Sequence, residues 1–151
     1  MINTTPRHHR GTQKTQAGVM LLEALVAILI FSVGILGIVK LQATSIQQSS
    51  AAEYRTIASM MANDVISQMW VSDKTPATLK TNFESAGGGT AYTQWQSQVI
   101  ASGLPGVSAT QNAPTIAITG GTASSQAVVT VFWKAPFEAD VRRFTAIAQI
   151  K

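Results

Sequence analysis

Residues 16–42 read QAGVMLLEALVAILIFSVGILGIVKLQ, and this stretch decides the organisation of the chain. From Val19 to Val39 it holds 21 residues, of which only Glu23 and Ser32 are strongly polar. As an α-helix rising about 1.5 Å per residue, the run spans about 31 Å, close to the roughly 30 Å hydrocarbon core of a bilayer. A carboxylate at the middle of such a helix costs on the order of 2.5–3.5 kcal/mol to insert, and less near an end. An acid inside a membrane helix therefore points to function, and its partner has to be found.

Working outward, three cations (Arg7, Arg10 and Lys14) precede the run, and no acid does. From Val19 onward there are eight Lys/Arg against seven Asp/Glu, a net of +1 in a chain of net +4. The basicity thus belongs mostly to the N-terminal flank. There it acts as an orientation signal that keeps the flank cytoplasmic and exports the residues beyond the run, rather than as a nucleic-acid footprint. Charged residues make up 12% of the 151, against about 25% in an average soluble domain. Cysteine is absent, which excludes both a disulfide framework and a thioether lipid anchor.

Four readings of the N-terminus compete. A conventional secretory signal has a shorter apolar core followed by an A-x-A-like site, and GILGIVKLQ lacks one. A simple signal anchor fits the length and the charged flank but leaves Glu23 unexplained. A buried core helix would need far fewer consecutive apolar residues. The fourth is a leader cut on the cytoplasmic side with the apolar helix retained, which accounts for Gly18, Glu23 and their spacing together.

The stretch AGVMLLEALVAILIF resembles the prepilin motif of the type IV pilin family, in which glycine ends the leader and glutamate is fifth in the mature chain. The continuation SVGILGIVKLQATSIQQSSAAEYRTIASMMANDVISQM is similar to minor pilins of the PilV type more than to major pilins, and WQSQVIASGLPG and VTVFWK carry a weaker likeness. The resemblance implies cleavage between Gly18 and Val19 by a prepilin peptidase and N-methylation of Val19. It also implies a subunit-assembly role for Glu23. Glycine before the cut has a physical reason, since a residue without Cβ fits a narrow protease cleft. Val19 departs from the family's usual phenylalanine. The implied fold is α+β and type IV pilin-like, a long N-terminal helix packed on a small antiparallel sheet. The implied partners are prepilin peptidase, other minor and major pilins, inner-membrane lipid and a tip adhesin. The implied location is the bacterial inner membrane as a single pass, N-terminus cytoplasmic and C-terminal domain periplasmic, and then the pilus. A minor pseudopilin of type II secretion has nearly the same motif, and a tip-displayed binding module is a further class.

The chain is thereby expected to divide into four segments: a leader at 1–18, read as disordered; an apolar assembly helix at 19–39; its amphipathic continuation at 40–72; and an exported domain at 73–151. In the continuation Leu41, Ile46, Tyr54, Ile57, Ala58, Met61, Val65, Ile66 and Met69 recur at mostly three- and four-residue steps, with no Pro or Gly before Pro76. A helix from Met20 to Val71 would be roughly 78 Å long, more than a domain of this size can cover. Met61, Met69 and Trp70 read as core. Gly34 and Gly37 either mark a weak point in the helix or permit close helix contact. Beyond Asp73, Pro76, Gly87-Gly88-Gly89 and Pro105-Gly106 punctuate a variable region, with the triple glycine read as a flexible connector. TAYTQWQSQVIASG predicts a short helix carrying Tyr92, Trp95, Val99 and Ile100. Alternation then predicts three strands: one with Ile116 and Ile118, one with Val129, Val131 and Trp133, and one with Phe144, Ala146, Ala148 and Ile150.

Catalytic chemistry is thin. The two histidines, His8 and His9, fall in the expected leader, so the mature chain would have neither a Ser-His or Cys-His pair nor a conventional zinc site. The triple glycine lacks the following Gly-Lys-Ser/Thr of a phosphate loop. Glu138 and Asp140 read as a solvated turn rather than a cation site, and Arg142-Arg143 as surface charge rather than a DNA contact. The sequence predicts a non-enzymatic structural subunit with no cofactor or metal and no nucleic-acid partner.

Overall fold

The computed structural model describes residues 16–151 other than 122, 123 and 137. Helix α1 spans Gln16–Val71, α2 Pro76–Phe83 and α3 Thr90–Ala101, with a single 3-10 turn at Ser85–Gly87 between the last two. Strands β1 (Thr115–Gly120), β2 (Ser125–Trp133) and β3 (Arg142–Ile150) come next and pair antiparallel in the order β1-β2-β3. The architecture is α+β. The chain divides into two compact units after Ile46, so α1 contributes to both.

In the first unit the helix is apolar all round. Each large apolar side chain from Val19 to Val39 is exposed, from 45% for Val26 and Ile35 to 73% for Leu21 and Leu36. Its most apolar 18-residue window has a mean hydropathy of 2.7 and no buried residue. This helix is long and apolar enough to span a membrane. Gln16, Ala17 and Gly18 are already helical, so the last three residues of the expected leader do not share the disorder expected of it. No Pro stands near them to prevent the helix from starting there. Residues 1–15, with His8, His9 and the basic flank, lie outside the described residues.

In the second unit the same helix buries one stripe. Ala58, Ala62, Val65 and Met69 are all at 0% exposure, at steps of four, three and four. Against them pack Ile116 and Ile118 of β1, the alternate residues Ala127, Val129, Val131 and Trp133 of β2, and Ile150 at the end of β3. Within the sheet Val129 lies between Ile116 and Ala146, one cross-strand row of this apolar face. Leu79 and Phe83 of α2 and Tyr92, Trp95 and Val99 of α3 complete the core. Tyr54, Ile57, Met61 and Ile66 flank it, half-buried.

Several expectations are corrected. Leu41 and Ile46 are exposed and belong to the first unit, while Ala62, not counted in the stripe, is buried. Trp70 is 44% exposed, about 100° around the helix from Met69, and the Lys74 ammonium lies 5.4 Å from its ring centroid. Ile100 is also exposed, at the rim of α3. Pro76 opens α2 at its first turn, where a missing N–H costs nothing, instead of lying in an irregular region. Finally, the triple glycine is a tight, defined turn rather than a flexible connector. Gly88 is left-handed at φ 59°, and a Cβ on Gly89 would run into the backbone carbonyls of Thr81 and Asn82.

Polar groups in and beside the core tie these pieces together. The Trp95 indole Nε1 donates to the Met61 carbonyl at 2.8 Å, locking α3 to α1. The Tyr92 hydroxyl donates to the Pro114 carbonyl at 2.8 Å and accepts from Gln96 Nε2 at 3.0 Å. Burial pushes the Tyr92 phenol above its ordinary pKa. Ser85 Oγ donates to the Ile116 carbonyl at 3.0 Å, fixing the 3-10 turn on β1.

Candidate functional site

Two side chains interrupt the apolar run, and the helix treats them differently. Ser32 Oγ donates to the Ile28 carbonyl one turn back at 2.7 Å, so its hydroxyl is satisfied without any second chain. The Glu23 carboxylate has no hydrogen-bond or ion-pair partner among the described residues. The next cation along the helix is Lys40, 17 residues and roughly 25 Å further on.

Glu23 lies on a shallow exposed groove of the helix surface with Val19, Leu22, Val26, Ala27 and Ile30. These residues stand at offsets of three, four and seven, which place them on one face. Val19 and Glu23 are four apart and therefore neighbours along that face. Helical side chains lean toward the N-terminus, so the carboxylate leans over the turn that contains Val19. Gly18 is exposed, with open space where a Cβ would stand. The helix thus brings Val19 and Glu23 onto one face and leaves Gly18 accessible about 140° around from Glu23.

The charged residues of the second unit are arranged otherwise than their sequence spacing suggests. Glu138 does not stand with Asp140 as a pair of free carboxylates. Its two oxygens accept from Arg142 Nε at 2.9 Å and Nη2 at 3.0 Å, in a bidentate ion pair. That pair holds the Arg142 guanidinium above its ordinary pKa. No group of three or more His, Cys, Asp or Glu side chains gathers among the described residues. Arg143 makes no ion pair among them, and neither does Arg55 on α1. Both line one groove beside Trp133 and Phe144. Arg55 stands some 90 residues from β3 in the chain, so no local pattern could have drawn attention to it.

The chain matches no protein-family model, no curated protein and no solved structure.

Proposed function

We propose that this chain is a minor pilin-like subunit of a type IV pilus, with a type IV pilin-like fold, anchored by α1 in the bacterial inner membrane before it enters the fibre. The observation that carries this reading is the contrast between Ser32 and Glu23. One polar group in the run is satisfied by its own helix. The other stands unpartnered on the face it shares with Val19, five residues after an accessible glycine. Glutamate there is costly for insertion and useless for the fold of either unit, so its role has to be exercised on something outside the chain.

In this reading prepilin peptidase cuts between Gly18 and Val19, and the amine of Val19, N-methylated by the same enzyme, becomes the nearest cation to the carboxylate. Within one subunit the amine is about a helical turn away. In a fibre, the axial offset between subunits sets the Glu23 carboxylate of an incoming subunit against the amine of the one before it. In a low dielectric such a pair is strong, and a buried charge left unpaired costs several kcal/mol. Pairing then fixes axial register and draws subunits from the bilayer. The second unit, residues 47–151, is carried outside the membrane, where it meets other minor and major pilins or a tip adhesin.

Two measurements test this. Mass spectrometry of the mature protein should find methylated Val19 at the N-terminus, and Gly18→Phe should accumulate uncut precursor. Glu23→Gln keeps shape and removes charge; it should be inserted and cleaved yet absent from sheared pili. Normal incorporation of Glu23→Gln would end the charge-pair mechanism, and an N-terminus beyond Ile38 would end the pilin-like assignment. Incorporation into a secretion pseudopilus instead of surface pili would move the subunit to type II secretion.

A further inference from the structure

The second unit carries a concave surface that neither membrane anchoring nor the Glu23 pairing employs. It is a groove of about 590 Å³ between α1 and β3, floored by Ala51 and Ala52 of the helix and by Trp133 and Phe144 of the sheet. Four consecutive residues of β3, Arg142 to Thr145, line it. Successive strand residues point to opposite faces of a sheet, so this unbroken run brings the groove to the edge of β3 at the start of the strand, beside the turn from β2. β3 is an end strand of the sheet and pairs only with β2 among the described residues. After Arg143 the strand has neither a charged residue nor a proline, the usual guards of an exposed edge. Ile147 on it is 65% exposed.

The charge of the groove has one sign in excess. Arg55, Arg142 and Arg143 line it against Glu138 alone, and only Arg142 is engaged by that carboxylate. Arg55 and Arg143 are exposed.

We propose that this groove receives an extended acidic segment of a partner protein, which adds to the open edge of β3 as a fourth strand and sets its carboxylates against Arg55 and Arg143. Backbone pairing supplies affinity in such strand addition, and the alternation of side chains supplies specificity. An acid beside Arg143 lies on the outer face, and the next residue of the segment, small or apolar, settles on Ala52 and Phe144. A nucleic acid fits this surface less well. Residues 47–151 hold seven Lys/Arg against six Asp/Glu, and a nucleic-acid face is strongly basic. The inference is independent of the pilin-like assignment.

The test uses the full chain in detergent micelles and a random library of nine-residue peptides displayed on phage. The recovered consensus, measured by fluorescence anisotropy, should carry one Asp or Glu for Arg143 on the outer face and a second, an odd number of residues away, for Arg55 on the helix side. Its affinity should fall about tenfold in Arg55→Ser and in Arg143→Ser, both at exposed positions that the core does not use. Glu138→Gln should act in the opposite direction, tightening binding a few-fold, because it frees Arg142 from its competitor. Methylating alternate backbone amides of the peptide should abolish binding in one register and spare it in the other. No acidic enrichment, unchanged affinity in the arginine variants, indifference to methylation in both registers, or tighter binding of single-stranded DNA than of the peptide would each overturn the proposal.

Discussion

Between Val19 and Val39 each large apolar side chain of α1 is at least 45% exposed, whereas between Ala58 and Met69 the same helix holds four positions at 0%. The backbone conformation is the same in both stretches, and both are rich in apolar residues. What differs is their distribution: continuous around the first stretch, confined to a stripe in the second. A stripe can be covered by one sheet, but a helix apolar on every face cannot. At roughly 1.5–3 kcal/mol per fully buried large side chain, the exposed run carries tens of kcal/mol of burial that the chain itself does not use. The run is long and apolar enough for a bilayer to supply that burial. The comparison therefore separates a half of α1 that its own fold stabilises from a half that only surroundings can stabilise.

The largest expected effect comes from dividing the molecule there. A chain beginning at Gln47 should stay in water without detergent and keep a single cooperative thermal transition, while the full chain should need detergent or lipid. The covered stripe and all three strands lie after the division, so the fold loses nothing it relies on. Circular dichroism showing an unfolded polypeptide for starts between about residues 42 and 50 would break the comparison.

The next effect sets one aromatic against another. Trp95 is at 0% exposure and bonded to the Met61 carbonyl, so Trp95→Ala should cost the second unit about 3–5 kcal/mol in denaturant unfolding. Phe31, 68% exposed in the apolar run, should change that same transition by less than about 0.5 kcal/mol when cut to Ala. Equal losses would mean that the apolar half takes part in the fold after all.

Much of this division could be read from residue order, because periodicity is a local signal. The apolar run, the stripe through Ala58, Val65 and Met69 and the alternation in all three strands emerge from it. Glu23 stood out because it breaks a pattern that is otherwise uniform. What stayed hidden depends on distant residues or on ambiguous punctuation. Trp70 and Trp95 are the same residue type in helical segments, and only the fold puts one on Lys74 and the other in the core. Pro76 and the triple glycine look like loop residues, yet one begins α2 and the other closes a turn against Thr81 and Asn82. Arg55 and Arg143 meet in one groove across some 90 residues of chain, which spacing does not record.

The glycines sharpen the comparison at smaller scale. Gly89→Ala places a Cβ on backbone atoms that cannot rotate away, and should cost about 1–3 kcal/mol of overpacking. Gly34 and Gly37 have open space at the corresponding point. Replacing either with Ala should leave the unfolding of the second unit unchanged and raise helix content in micelles, by up to about 1 kcal/mol of propensity per site. Loss of stability from Gly34→Ala or Gly37→Ala would show a tertiary contact in the exposed half.

The smallest effect lies at the point where α1 ends and polar side chains take over. Asp73 Oδ1 accepts from the Thr75 backbone N–H at 2.9 Å, and Oδ2 accepts from Thr78 Oγ1 at 3.4 Å, holding the entry to α2. The backbone hydrogen bond from Thr75 is the main cause that holds the Asp73 carboxyl below its ordinary pKa of 3.8. A carboxylate lowered on folding adds stability that is fully present above the unfolded value. That stability is lost as the pH falls through the folded one. Asp73→Asn keeps an acceptor for Thr75 but not the charge. Its melting temperature should therefore lie slightly below that of the wild type at neutral pH, and the gap should narrow as the pH falls below the ordinary carboxylate range. Because Asp73 is fully exposed, solvent and salt screen the interaction, and added salt should narrow the gap at neutral pH as well. A gap that widens with acid would mean that Asp73 gains rather than loses its proton on folding, the reverse of what its bond to Thr75 requires.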